Sequence, residues 1–354
     1  MNMNKLTKVG CSALCGSLAA ISAANAGDLT VTGGADLTWV SLTKDVTGNP
    51  IGLGSNFSMK GSGELDNGWT FDLTIAHTNG GAYSSTALAV GMGGFGKLNI
   101  NSGDSGNGIQ KYDDVLPTAW EEAHGAGMST GVRGIVSGLG ASSNIQYTTP
   151  TFAGTTIDVA YAHRMGDVDN ADKTGGGVSH TQGVSQGLDV TMKINASLGT
   201  EILSGLNLYV GGHEAQVYNN HSLENNAYQA VAAIVYDIGP FSIGQQWSGE
   251  YSGEDNSTQA FNVYKNHAYG IAFNINDDLS VSYGSMRSYK AGYTNSNLGS
   301  QAEGREIHVR SAQVAYTLGG ASVRVAQVEA DNSFFSSATS ADKSATIVSL
   351  GLAF

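Results

Sequence analysis

The chain closes on residues 345–354, ATIVSLGLAF. Val348, Leu350, Leu352 and Phe354 are large and apolar; Ser349, Gly351 and Ala353, between them, are small or polar. A period of two puts the two sets on opposite faces of one β-strand. Ile347 alone carries a large apolar side chain into the small, polar set. A strand this oily, running to an aromatic residue without a polar tail, fits a sheet that closes on itself. There the last strand pairs with the first and no edge is left open.

The same alternation recurs upstream. Leu29, Val31, Leu37 and Trp39 share one parity, with Thr30, Thr32, Asp36 and Thr38 on the other. Trp69, Phe71, Leu73 and Ile75 alternate with Thr70, Asp72 and Thr74. Leu188, Val190, Met192 and Ile194 alternate with Asp189, Thr191, Lys193 and Asn195. Half-buried strands of this kind build a soluble sandwich as well as a membrane barrel. The connections separate the two. Tight turns at Gly93-Gly94-Phe95, Gly239-Pro240 and Gly319-Gly320 alternate with long polar stretches over 164–185, 248–258 and 288–305. Membrane barrels have short turns on one rim and longer loops on the other. Trp69, Phe95, Tyr147, Phe152, Tyr236, Phe241 and Phe354 gather at strand ends, where aromatic girdles would sit. Strands of about ten residues, at about 3.3 Å each and tilted near 45°, rise roughly 23 Å, matching an apolar band of about 25 Å. The expected fold is all-β: one transmembrane, antiparallel, up-and-down β-barrel of about 16 strands.

Residues 1–26 read as an export signal. Lys5 and Lys8 make a positive start, 9–21 are a short apolar stretch, and Ala24-Asn25-Ala26 fits an A-x-A cleavage site. The expected organisation is a signal peptide over 1–26 and a barrel over 27–354. Cys11 and Cys15 both lie in the signal, so the exported chain holds no disulfide, thiol nucleophile or thiolate metal site. Loss of the two lysines takes the formal charge from −13 to −15, which argues against nucleic acid as a partner. With 15 Tyr, 10 Phe and 4 Trp the chain has too many aromatic residues for disorder. A mean hydropathy of −0.11 excludes a helical membrane protein. It leaves a barrel open, because only half of each strand meets lipid.

One connection breaks the rhythm. Between the strand patterns at 97–101 and 144–149 lie Asp104, Asp113, Asp114, Glu121 and Glu122, with Lys111, His124 and Arg133. A structureless stretch this long is functional or disordered. Within it Gly103-Asp104-Ser105-Gly106 matches the nucleophile segment of trypsin-like proteases, but the only histidine upstream is His77. Gly127-Met128-Ser129-Thr130-Gly131 matches G-x-S-x-G without the strand and helix that a nucleophile elbow needs. Gly91, Gly93 and Gly96 have the spacing of a dinucleotide fingerprint but run into a strand pattern, and read as a turn. The chain is therefore not expected to be an enzyme. Its eight histidines show no metal-ligand spacing, and no cofactor is expected. Asp167-Val168-Asp169-Asn170-Ala171-Asp172 resembles the start of a calcium loop, but lacks the glycine at its sixth position and the closing glutamate. It leaves room for a weak Ca²⁺ site in an outer loop.

Four segments together resemble the Gram-negative general porin family, of the alphaproteobacterial type. Residues 55–61 (SNFSMKG) with 64–68 (ELDNG) resemble its second strand and first turn; 143–150 (SNIQYTTP) resemble its sixth strand. Residues 236–241 (YDIGPF) resemble a late turn, and the terminal Phe354 matches its assembly signal. The resemblance implies an outer-membrane homotrimer, with its third long loop folded inward to narrow a channel for passive diffusion. Outer-membrane lipid, lipopolysaccharide and small hydrophilic solutes are then the expected partners. Where the family carries arginines facing that loop, this chain has Asn56, Ala87 and Gln146. Lys60 keeps its charge, and parity turns it inward, as it does Lys193 and Arg324. The expected constriction sets Asp104, Asp113, Asp114, Glu121 and Glu122 against Lys60, Lys193 and Arg324, and its unbalanced acid favours cations. Two alternatives stay open. One is a substrate-selective channel on the same barrel, which an aromatic slide would mark; by parity Tyr209 is the exception on a lumen face rich in Thr, Asn, Ser, Asp and Gly. The other is a secreted soluble β-sandwich or adhesin.

Overall fold

The computed structural model describes residues 26–44, 48–79, 84–125, 127–165, 182–196, 203–219, 222–253, 261–293, 301–302 and 306–353. In chain order its strands are β1 (Ala26–Thr43), β2 (Ile51–Glu64), β3 (Thr70–Thr78), β4 (Ser85–Gly91), β5 (Lys97–Ser102) and β6 (Asn144–Thr148). β7 (Thr155–Ala162), β8 (Gln182–Asn195), β9 (Leu206–Asn219), β10 (Ser222–Ile238), β11 (Phe241–Tyr251) and β12 (Phe261–Asn274) follow. The last are β13 (Leu279–Tyr293), β14 (Gln301–Ala302), β15 (Glu306–Leu318), β16 (Ala321–Asp331) and β17 (Lys343–Ala353). β14 is a two-residue piece paired only with β13; the other sixteen strands form a single antiparallel sheet of sequence neighbours. β17 returns to β1 in continuous register from Gly34–Ala353 to Thr43–Ser344, and the sheet is a closed barrel.

The alternation sorts the two faces. Leu350 and Leu352 point outward, 38% and 53% exposed, while Ser349 on the other parity is 1% exposed. Leu29 of β1, Leu53 of β2 and Ile243 of β11 are also more than half exposed. A surface this apolar all round the barrel is stable only against lipid. Aromatic residues end it on both rims. Phe95, Phe152 and Phe241 are exposed at the short turns, with Tyr147 Oη donating to the Phe95 carbonyl at 2.7 Å. Trp39, Trp247 and Tyr289 stand near the opposite ends of their strands. Phe354 and residues 1–25 lie outside the described residues, as does the calcium-like stretch 167–172.

Strand lengths depart from the even spacing that the sequence pattern implies. β1 runs for 18 residues and β10 for 17, whereas β4, β5, β6 and β7 have 7, 6, 5 and 8. The short strands flank the long connection. β5 and β6 stop where the chain leaves the wall, and Gly103 N donates to the Ala141 carbonyl at 3.0 Å, joining the two ends of the connection in a neck. Three stretches read as loops are partly strand: β8 begins at Gln182, β11 runs to Tyr251 and β13 to Tyr293.

Candidate pore constriction

The connection 103–143 has almost no regular structure, so its backbone groups must find other partners. They find side chains on the inner parity of the wall. Gly108 N donates to Gln146 Oε1 of β6 at 2.9 Å, and Lys111 forms an ion pair with Asp158 of β7. Ser137 N and Gly138 N share Gln229 Oε1 of β10. Gln246 of β11 donates to the Asp113 carbonyl, and Asn266 of β12 to that of Arg133. Gln313 of β15 accepts from Trp120 N and Glu121 N while its amide donates to the Glu121 carbonyl. The connection therefore runs along the inner face from β6 round to β17 and reaches Val40 and Leu42 of β1, while the rest of the inner faces of β1 and β2 stays largely open.

Asp189 of β8 is the tightest of these attachments. Its carboxylate is fully enclosed. Oδ2 accepts from Ile109 N at 2.8 Å and from Leu139 N at 3.3 Å, and Oδ1 accepts from His213 Nδ1 of β9 at 2.5 Å. One side chain thus ties two points of the connection that are far apart in sequence. Gly108 and Gly138 both lie against the carboxylate with positive φ, where a Cβ would collide with it. Apolar contacts finish the docking. Ala123 and Met128 pack with Ile307, Val309, Ala326, Val328 and Ile347, so Ile347 breaks the polar parity of β17 because the connection covers it.

The five acids do not act alike. Asp113, Asp114, Glu121 and Glu122 form one cluster, in which the charge of Asp114 helps to raise the carboxyls of Asp113, Glu121 and Glu122. Burial, then Asp114, pushes Asp113 up to about 7; burial and the neighbouring acids push Glu122 to about 7 as well. Glu121 is raised by burial and partly restored by Arg324. Burial lowers His124 to about 4, so it brings no cation to the cluster at neutral pH. Asp104 stands nearer the neck, and burial raises it too. Of the three expected bases, the structure brings Arg324 to the cluster: it is ion-paired with Asp36 of β1, donates to Ser349 at 2.8 Å and lies 5.1 Å over the Trp120 ring. Lys60 is held by Asp72 at 3.3 Å on β2 and β3. Lys193 lies 5.4 Å over the Tyr209 ring, on β8 and β9. Asn56 lines an open recess of about 600 Å³ with Asp36 and Arg324.

Closed barrel, lipid-type belt and inner connection are together on one chain. The sequence family described as "Gram-negative porin" matches residues 10–354. The chain belongs to that family. As a porin it is a channel-forming barrel of the outer membrane. No curated protein matches its sequence. Solved structures match its fold at low identity. OmpF of Salmonella typhi in complex with daunomycin is 13% identical, with a TM-score of 0.63 over 92% of this chain and 97% of that one. An anion-selective porin from Comamonas acidovorans is 12% identical, TM-score 0.63, over 92% and 99%. OmpT of Vibrio cholerae in its trimer form is 11% identical, TM-score 0.61, over 93% and 100%. Asp189, His213, Gln229, Gln246, Asn266 and Gln313 escaped the sequence reading as site residues. His213, Gln229, Gln246 and Gln313 differ in length from the Thr, Asn, Ser, Asp and Gly that fill the inward parity, whereas Asp189 and Asn266 carry no such signal.

Proposed function

We propose that this porin is a passive channel for small hydrophilic solutes and ions, narrowed by the connection 103–143 and preferring cations. The observation that carries the preference is the imbalance at the connection. Asp113, Asp114, Glu121 and Glu122 cluster there, Arg324 is shared with Asp36, and Lys60 is shared with Asp72. The wall positions Asn56, Ala87 and Gln146 are uncharged. Fold alone does not set the sign, because the anion-selective porin of Comamonas acidovorans shares it. Asp104 and Lys193 then contribute to the field away from the narrowest ring. A planar-bilayer recording across a KCl gradient tests the reading: a reversal potential of cation-selective sign supports it, and one of anion-selective sign overturns it.

A homotrimer in outer-membrane lipid and lipopolysaccharide, reached through a cleaved signal at 1–26, completes the proposal. OmpT of Vibrio cholerae, a similar barrel, has a trimer form. The short strands give an independent reason. β6, five residues long, rises only about 12 Å when tilted near 45°, against an apolar band of about 25 Å. A wall that low needs protein beside it. A trimer should resist SDS until boiled and then shift mobility; a single heat-insensitive monomer band counts against it. No catalytic group or cofactor enters the mechanism, and a weak Ca²⁺ site in 167–172 would be peripheral to it.

A further inference from the structure

The connection between β16 and β17, residues 332–342, turns inward at the loop-bearing mouth. Phe334 N donates to the Thr130 carbonyl at 2.8 Å, fixing this turn to the constriction connection. Asn332, Phe334 and Phe335 all have positive φ, at 55°, 58° and 56°. Bulky side chains rarely adopt that conformation, and it costs energy wherever it persists. Burial does not explain it for Phe334, which is 57% exposed. Gly131 packs directly against the Phe334 ring, where a Cβ would lie 2.5 Å from its edge. Tyr264 of β12 approaches Phe335 with ring centroids 6.0 Å apart.

These rings border a recess of about 640 Å³ that Arg133, Glu250 and Lys290 also line. Lys290 Nζ lies 5.8 Å from the Phe335 ring, and Lys343 Nζ lies 5.2 Å from that of Phe334. His213 reaches the recess but is buried and engaged with Asp189. Among the described lining residues the remaining charged groups are Arg133, Lys290 and Glu250, with Arg133 close enough to Glu250 to act on its charge. Aromatic rings in a rare backbone conformation beside a guanidinium and an ammonium have the chemistry of a site for a planar anion. A ring stacks on phenylalanine, and a carboxylate accepts two parallel hydrogen bonds from a guanidinium.

We propose that this recess binds small aromatic carboxylates, with the ring against Phe334 and Phe335 and the carboxylate on Arg133 and Lys290. The proposal rests on the channel reading above, because the ligand arrives from the loop side. The acid cluster beyond the recess repels the bound anion, so the ligand plugs the channel rather than crossing it.

Benzoate is the probe, with acetate (charge without ring) and benzyl alcohol (ring without charge) as its two halves. Added to the loop side of the purified porin in a planar bilayer, benzoate should interrupt the current at concentrations where neither half does. Phe334→Ala and Arg133→Gln should each weaken that block about tenfold, the loss of one stacked ring or one charge-assisted contact. Phe334→Leu keeps the apolar bulk and should still lose the ring preference. Equal block by acetate and benzoate, or block unchanged in Phe334→Ala, would overturn the proposal. A barrel that folds but conducts nothing would refute the channel reading instead. Calorimetric titration of the detergent-solubilised barrel with benzoate then decides the recess by itself: heat lost in Phe334→Ala supports it, and no binding to the parent protein rejects it.

Discussion

The inner wall of this porin has two halves built on one parity with opposite surroundings. On β1 and β2, Thr30, Thr32, Asp36, Asn56 and Lys60 are exposed to the lumen. On β8 to β15, Asp189, Thr191, His213, Gln246, Ser285 and Gln313 are 5% exposed or less, under the connection. Both sets are polar, so parity alone does not tell a solvated wall from a docking wall. Reach and partner number do. Threonine hydroxyls bond to neighbours within the wall, as Thr32 does to Ser58 at 2.9 Å. Gln313 instead spans to the connection and satisfies two of its N–H groups and one carbonyl.

The largest effect that would break this contrast is Asp189→Ala. It strands Ile109 N, Leu139 N and His213 in a dry site, with an expected loss of about 3–5 kcal/mol. Urea unfolding of the folded barrel reads the stability, and single-channel conductance should rise as the connection loosens. A stable variant of unchanged conductance would mean that the carboxylate does not anchor it. Outer and inner faces separate next. Leu350→Arg should cost about 2–4 kcal/mol if it lies near the bilayer midplane, whereas Thr32→Arg, on the open wall, should leave unfolding unchanged and shift the current toward anions. Equal tolerance of both arginines would contradict the assignment of the faces.

A smaller effect sharpens the electrostatics. Asp113 and Glu122, raised to about 7, are neutral well below that pH and charged above it. Cation preference should therefore grow as pH rises from about 6 to about 8, and Asp113→Asn with Glu122→Gln should flatten the curve of reversal potential against pH. The smallest is Lys60→Ala. Its ion pair with Asp72 is half-exposed, so stability should move by no more than about 1 kcal/mol, while the freed Asp72 adds to the cation preference in the same recording.

The barrel was legible because lipid imposes a rule on every strand: Leu350 out, Ser349 in, and the same in each strand before them. The connection was legible through its length and its acids. Its docking partners were not, since an inward Gln246 or Asp189 in the sequence does not say which distant backbone will cross it. The shortness of β4–β7 was hidden for a related reason. Where β5 ends depends on the neck between Gly103 and Ala141, a contact across the connection rather than a local preference. Ile347 shows the middle case. The sequence marked it as an exception to parity, and only Met128 and Ala123 explain it. Likewise Arg324 faces inward as read, but Asp36 of β1, reached across β17, turns a supposed partner of the acids into a shared one.

The seam between β1 and β17 has a consequence for how the molecule is made. The first and last strands complete the cylinder together, so a chain still lacking its C-terminal strand has two raw edges and cannot close. Ile347, on which the apolar end of the inner connection rests, belongs to that last strand. Biogenesis thus couples sealing of the wall to seating of the obstruction: the passage reaches its working bore only when synthesis and insertion are finished, and a truncated product can form neither the wall nor its gauge.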